Sequence, residues 1–294
     1  MTSLKDAVFK FDSRFIKENY NVAIGNDFIV LDDISDIPFF DYPAKIDVAV
    51  ASICLKGEIE GAINLRPYRF SVNDFFTTLP RQILQYNKVS SDFSGIHIIM
   101  SQHFLDSLKL SIRDTMSVLI YLERNPVVNL NSNELNYLHD YYNMIVKAVL
   151  RAQNPCRMEV VKALTVAMFY EMDNFQQLYK NKVVEKSKNE ELFDSFYNLV
   201  LCHHRESHKV GFYADRLFLT PKYLSALIKE ITGKSAFQWI NDYVVLEAQS
   251  MLMSTNMTIQ QISDELNFAN QSFFGKYFKQ HIGMSPSEYR LKKY

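Results

Sequence analysis

The strongest constraint on this chain is a helical pattern written twice in its last eighty residues. In the second copy, Thr258 to Leu266 reads as a short amphipathic helix, Asn267-Phe268-Ala269 as a tight turn, and Asn270 as the start of a second helix running to about His281. Ile259, Ile262, Leu266, Phe273, Tyr277 and Phe278 recur at three- and four-residue spacings, which puts them on facing inner surfaces. Thr258 and Gln261 form a capping box, Asn270 is a good N-cap, and small Ser263 sits where the two helices would cross. Two short helices on a three-residue turn describe a helix-turn-helix.

Val210, Tyr213, Ala214, Asp215, Leu217, Leu219 and Leu224 precede Ile259, Ile262, Ser263, Asp264, Leu266, Phe268 and Phe273 by 49 residues, and the register has slipped to 50 by Gly233 and Gly283. Thr220-Pro221, an N-cap followed by proline at the first helical position, opens the second helix of the earlier copy. Each copy ends in glycine and is followed by a fresh helix start, Ser235-x-x-Gln238 and Ser285-Pro286-x-Glu288. One such hairpin could be imitated by any small helical bundle; two in register could not easily be.

Gly233-Lys-Ser-x-x-x-Trp239, Leu246-Glu-Ala248 with Met251-Leu252, Asn267-Phe-x-x-Gln271-Ser-x-Phe274-x-x-x-Phe278-Lys and Gly283-Met-Ser-Pro286-Ser-Glu-Tyr289-Arg together resemble the AraC/XylS family of bacterial transcription regulators. The likeness covers about residues 195 to 294. It implies paired helix-turn-helix units that bind promoter DNA, an amino-terminal sensing domain, pairing of two protomers, and recruitment of RNA polymerase, with activation the commoner outcome. It implies no enzymatic activity and no cofactor.

At 294 residues the chain has room for two domains. No apolar run approaches a membrane span, and Met1 to Tyr20 is too charged for a signal peptide. Cys54, Cys156 and Cys202 are odd in number and unclustered, as expected of a reduced, cytoplasmic protein. Residues 195 to 294 hold 11 Lys and Arg against 8 Asp and Glu, a net of +3, whereas the remainder nets −4. That asymmetry permits phosphate binding without demanding it.

Residues 1 to about 103 read as mainly β, with strands at Phe28–Leu31, Ile46–Leu55, Glu58–Leu65, Val72–Thr78, Gln82–Val89 and Phe93–Met100. Short strands broken by Lys-Gly, Arg-Pro-Tyr and Leu-Pro turns suggest a small barrel or jelly roll, and Asn73-Asp-Phe-Phe with Leu79-Pro80 loosely resembles a cupin-type sensing domain. A metal-dependent cupin enzyme is the competing reading. It needs paired histidines and a carboxylate, and the region offers only His97, with His103 just past its end, so no metal site is expected. Arg66, Tyr68, Arg69 and Tyr86 are candidates for contact with a small polar effector, although ordinary turn and surface roles suit each of them too.

From about Phe104 to 188 the pattern is helical. Ile112, Met116, Leu119 and Leu122 line one helix, Leu135, Leu138, Tyr142, Ile145 and Val149 a second, and Val161, Leu164, Met168, Met172, Phe175 and Tyr179 a third. Such stripes serve either a domain's own core or, with their three-four alternation, a two-helix interface between protomers, here within residues 132 to 180. Lys180 to Glu191 is charged and nearly free of apolar residues, and reads as a linker with its boundary near Lys188. The domains are thus residues 1 to 188 and 189 to 294, an α+β chain with an all-α carboxy-terminal domain. His203, His204 and His208 lack thiol or carboxylate partners at ligand spacing and read as a wet helix end.

Ser235 to about Ser254 joins the two units as a single helix. Roughly 19 residues at 1.5 Å each span about 28 Å, near the ~34 Å that separates successive major-groove openings on one face of B-DNA. Subtracting the core positions leaves Lys222, Ser225, Ala226 and Lys229 outside on the first recognition helix, and Gln271, Ser272, Lys276 and Lys279 outside on the second, with Phe273 assigned to packing. Lys222 near a helix start can donate to guanine, and Gln271 can pair with adenine. Lys229, Lys234, Lys279 and Arg290 suit phosphate. The resemblance puts Lys222, Ser225, Ala226, Gln271, Ser272 and Lys276 at the family's base-facing positions, and Asn270 at the helix start is a further candidate for base readout. It also marks Ser225 and Ala226 as short for their positions, so the first helix is the weaker reader, and it marks Val244 as standing where many members carry arginine. A third reading, a helical domain that binds another protein, is not excluded by the pattern.

Overall fold

The structure, a computed structural model, describes residues 22–31, 42–108, 122, 125–180 and 187–291. The expected helix through Ile112, Met116 and Leu119 and residues 181–186 of the charged linker lie outside the described residues. The described chain divides into two compact units. One holds residues 22–31 and 46–180, and the other holds Tyr42–Lys45 with residues 187–291.

The first unit is an α+β structure of antiparallel sheets and helices. Its strands are β1 (Ala23–Ile24), β2 (Phe28–Leu31), β4 (Val48–Lys56), β5 (Glu58–Ile63), β6 (Arg66–Ser71), β7 (Asp74–Thr78), β8 (Ile83–Val89), β9 (Ser94–Ser101) and β10 (Val127–Asn129); the two-residue β3 (Ala44–Lys45) is counted with the second unit. Six strands form one sheet in the order β1-β2-β9-β4-β7-β10, and β8, β5 and β6 lie side by side in another. Among the described residues the strands do not close into a barrel, one of the two forms expected.

The larger sheet is buried on both faces. Val30, Ala51, Ile53, Ile96, Ile98 and Met100 pack with the helices. The alternate residues Ile29, Leu31, Val48 and Ile99 form a separate cluster, and Cys54 and Phe76 join Ile59, Tyr68 and Phe70 between the sheets. Burial on both faces explains the near-continuous apolar run of β4, which alternation alone would not give.

Strand β6 was expected to be a turn because of Arg66-Pro67. Its residues alternate, with Tyr68 and Phe70 buried and Pro67 and Arg69 exposed. It is also a sheet edge, where a residue lacking a ladder N–H is tolerated. A two-residue loop, Asn64-Leu65 with both φ positive, turns β5 into β6.

The helices of this unit with described bounds are α1 (Gln102–Ser107), α2 (Ser132–Leu150) and α3 (Arg157–Lys180). Leu138, Tyr142, Ile145 and Val149 of α2, with Val161, Met168, Met172 and Phe175 of α3, are buried in the unit's own core. The stripes that could have paired two protomers are therefore spent on the sheet.

The second unit is helical: α4 (Lys188–His203), α5 (Val210–Arg216), α6 (Pro221–Thr232), α7 (Ala236–Ser254), α8 (Ile259–Glu265), α9 (Gln271–Ile282) and α10 (Pro286–Leu291). A capping box of Ser187 and Glu190 starts α4, close to the expected boundary. Tyr243 to Leu246 and Ala248 of α7 are buried on consecutive positions, which marks a helix wrapped on all sides.

Candidate nucleic-acid interface

Two helix-turn-helix units, α5–α6 and α8–α9, are built by the same local chemistry. Thr220 Oγ1 accepts from the Tyr223 N–H at the start of α6, and Asn270 Oδ1 accepts from the Phe273 N–H at the start of α9. Gly233 and Gly283 end the two helices in left-handed conformation, at φ 75° and 84°, where glycine carries no Cβ penalty. Each turn holds one left-handed residue, Phe218 and Asn267, both at φ 57°. The Leu219 N–H donates to Ala214 O and the Phe268 N–H to Ser263 O, each at 2.9 Å.

These equivalences locate the slip in register. First helices and turns match at 49 residues, and Thr220 with Asn270 already matches at 50, so Ala269 is the extra turn residue. Leu224 therefore pairs with Phe274, both fully buried, and not with Phe273. Phe273 is 61% exposed, which corrects its expected role in packing. Adjacent phenylalanines at 273 and 274 make periodicity unable to choose between them.

Lys222, Ala226, Gln271, Ser272, Lys276, Lys229 and Lys279 are exposed, and Ser225 is half-buried. Three expected contact residues are otherwise engaged. The Asn270 side-chain oxygen is committed to the helix cap. Lys234 Nζ sits 2.7 Å from Asp242 Oδ2. Arg290 is turned inward, its Nε donating to Leu252 O at 3.3 Å, which makes it a tie to α7 and removes it from the exposed basic surface.

Both units pack on α7. Trp239 Nε1 donates to Thr232 Oγ1 at 2.9 Å on the first side, and Tyr277 Oη lies 3.0 Å from Asn241 Oδ1 on the second. Val244 is fully buried, so an arginine-type polar contact from that position is replaced by packing.

An ionic cluster that sequence reasoning missed sits at the middle of α7. Glu247 is fully buried and pairs with His204, Arg205 and Lys45, the last at 2.8 Å, while Arg205 also pairs with Glu265 of α8. Burial alone would raise the Glu247 pKa. The His204 hydrogen bond and the charges of His204 and Lys45 outweigh it and hold the carboxyl well below its ordinary range. The wet-end reading of the histidines thus fails for His204, which is buried. A signal was available: Val244, Glu247 and Met251 share the packing phase of α7, and an acid there needs cationic partners.

In the first unit, Tyr68 and Arg69 point to opposite faces of β6. Tyr68 is buried among aromatic rings, and Arg69 is exposed in an ion pair with Glu58. Alternation along a strand separates them, so Arg66, Tyr68, Arg69 and Tyr86 do not form one effector site. His97 is buried, with Nδ1 at 2.7 Å from Ser52 Oγ.

The helix-turn-helix domain family matches residues 213–292. An uncharacterized HTH-type transcriptional regulator, YobQ of Bacillus subtilis, is 40% identical over 74 residues, 25% of this chain and 31% of that protein. The arabinose operon regulatory protein of Salmonella typhimurium is 33% identical over 89 residues, 30% of this chain and 32% of that protein. The chain thus spans about a third of the length of each of these two relatives. Among solved structures, ToxT from Vibrio cholerae aligns with 90% of this chain and 98% of its own, at 19% identity and a TM-score of 0.40. The fold and the family match define a tandem helix-turn-helix domain. Residues 213–292 match that domain family, and the arabinose operon regulatory protein is among the relatives similar over this stretch.

Proposed function

We propose that the whole chain is a sequence-specific DNA-binding transcription regulator whose two recognition helices, α6 and α9, enter successive major grooves of one site. The observation that carries this reading is the pair of capped helix starts. Each exposes a donor-bearing side chain, Lys222 or Gln271, and both units are packed on one helix of 19 residues. At 1.5 Å per residue that helix is about 28 Å long. Gln271, Ser272 and Lys276 read base edges, Lys222 supports them from the first unit, and Lys229 and Lys279 hold phosphate. The domain's modest positive charge makes affinity depend on pairing of protomers. The outward faces of α2 and α3, with exposed Tyr137, Met144, Val160 and Tyr170, are the surface we assign to a homodimer.

Activation through RNA polymerase is the outcome favoured by the family resemblance. Between sheet and helices the first unit holds a cavity of about 30 Å³ lined by residues such as Ala51, Phe75, Met100, Leu122 and Met172, room for about two waters and not for an effector.

Selection of duplexes from a random pool by the full-length protein tests the reading. Enrichment of one motif is expected, and Lys279→Ala should weaken selected and random duplexes alike while flattening the salt dependence by about one phosphate. A pool that returns without enrichment overturns the proposal.

A further inference from the structure

Tyr223 and Phe273 are equivalent residues, 50 positions apart, at the third position of α6 and α9. Both are aromatic and both are exposed, by 53% and 61%. In each case the residue's own N–H is the one bound by the N-cap side chain, Thr220 or Asn270. The cap therefore fixes the backbone from which the ring projects. Neither ring takes part in an aromatic contact among the described residues, although Phe268, Phe274, Tyr277 and Phe278 in the same unit do.

Large apolar side chains on a monomer's surface are unremarkable singly, but here the exposure is repeated at one position of two copies. One turn further on the same face stand Ala226 and Lys276, three residues from the rings. Between ring and successor each helix carries a very small residue, Ser225 in α6 and Gly275 in α9. A Cβ added at Gly275 would meet no atom within 4 Å. Nothing among the described residues therefore requires glycine there, and mid-helix glycine costs about 0.5–1 kcal/mol relative to alanine. Close approach of something outside the chain does account for it.

Resting on the DNA-binding reading above, we infer that Phe273 and Tyr223 read the 5-methyl groups of thymine in the major groove. A polar edge cannot compensate a ring for lost water, whereas the thymine methyl is the one apolar feature the major groove presents. Ala226 extends the apolar patch beside Tyr223, so the first recognition helix reads by apolar contact where the second combines Phe273 with Gln271 and Lys276.

The experiment uses the full chain and the duplex selected above. Each thymine is replaced in turn by deoxyuridine, which keeps the hydrogen-bonding edge and removes only the methyl. For the unsubstituted protein, affinity should fall about fourfold at a contacted thymine, the effect of exposing one buried methyl-sized group. In Phe273→Ala the dependence should vanish at the position facing α9 and persist at the one facing α6. Tyr223→Ala should do the reverse, and Phe273→Leu should retain part of the effect. Both side chains are exposed, so the core is untouched, and the fluorescence of Trp239 checks the fold. A selected site without methyl dependence at any thymine, or dependence that survives both alanine variants, overturns this inference and leaves the DNA-binding reading standing. Failure to select any duplex sinks both.

Discussion

The two helix-turn-helix units share caps, turn hydrogen bonds and left-handed glycine ends, yet they differ in what they expose and in how they are anchored. In its first two turns α6 exposes Pro221, Lys222, Tyr223 and Ala226, whereas α9 exposes Gln271, Ser272, Phe273 and Lys276. The first unit meets α7 through the Trp239–Thr232 hydrogen bond. The second is also held ionically, because Arg205 spans Glu247 on α7 and Glu265 on α8. One backbone plan thus supports a sparsely polar helix and a densely polar one. The fold is set by positions that repeat, and the polar groups each helix offers outward by those that do not.

The largest expected effect breaks the anchoring half of this comparison. Glu247→Ala leaves His204 and Arg205 facing an emptied, buried site, and removing one member of such a pair costs about 3–5 kcal/mol. Trp239 is the chain's single tryptophan and lies in this unit, so its fluorescence in urea follows the domain directly. The cluster also sets a pH dependence. Glu247 is held below its ordinary range when folded, so its contribution is complete above the unfolded carboxyl value of about 4.3. It is lost as pH falls from there through the depressed folded value. Glu247→Gln should remove that acid-side loss; an unchanged acid profile in the variant would show that other carboxylates cause it.

Readout comes next. Gln271→Ala should weaken the selected site by about 1–3 kcal/mol, typical of a lost bidentate pair to adenine, and should relax preference at one base pair. Lys222→Ala should cost less, because α6 offers fewer polar groups alongside it. Equal losses from the two variants would mean that the helices share the reading evenly. An equal loss on selected and random DNA for Gln271→Ala would remove it from base contact.

Much of this was legible in the amino-acid order, and for local reasons. Caps, glycine ends and three-four spacing act within one or two turns, so α5 to α9 could be placed from the residues alone. The Leu224–Phe274 equivalence was not, since two adjacent phenylalanines satisfy the same periodicity. Arg205, Glu247 and Glu265 lie 42 and 18 residues apart in sequence, and no local rule joins them. Strand β6 was hidden because Pro67 signals a turn unless the strand is known to be an edge. The closed barrel failed similarly: which strands pair across β4, β7 and β9 depends on contacts far apart in the chain, and alternation does not carry that information.

The smallest expected effect concerns the turns. Phe218 and Asn267 occupy equivalent left-handed positions, but Asn267 tolerates that conformation and donates to Glu206 O at 2.7 Å, whereas Phe218 is 95% exposed. A bulky residue held at positive φ costs roughly 1 kcal/mol, and a ring in water returns nothing by burial. Phe218→Asn should therefore raise the urea midpoint of the Trp239 transition, by an amount equivalent to about 0.5–1 kcal/mol. Phe218→Gly should gain less, because glycine also relieves the strain but leaves the unfolded chain more freedom to lose. A midpoint that falls in both variants would mean that the ring is covered by something in solution, and the first turn would then differ from the second in having a contact of its own.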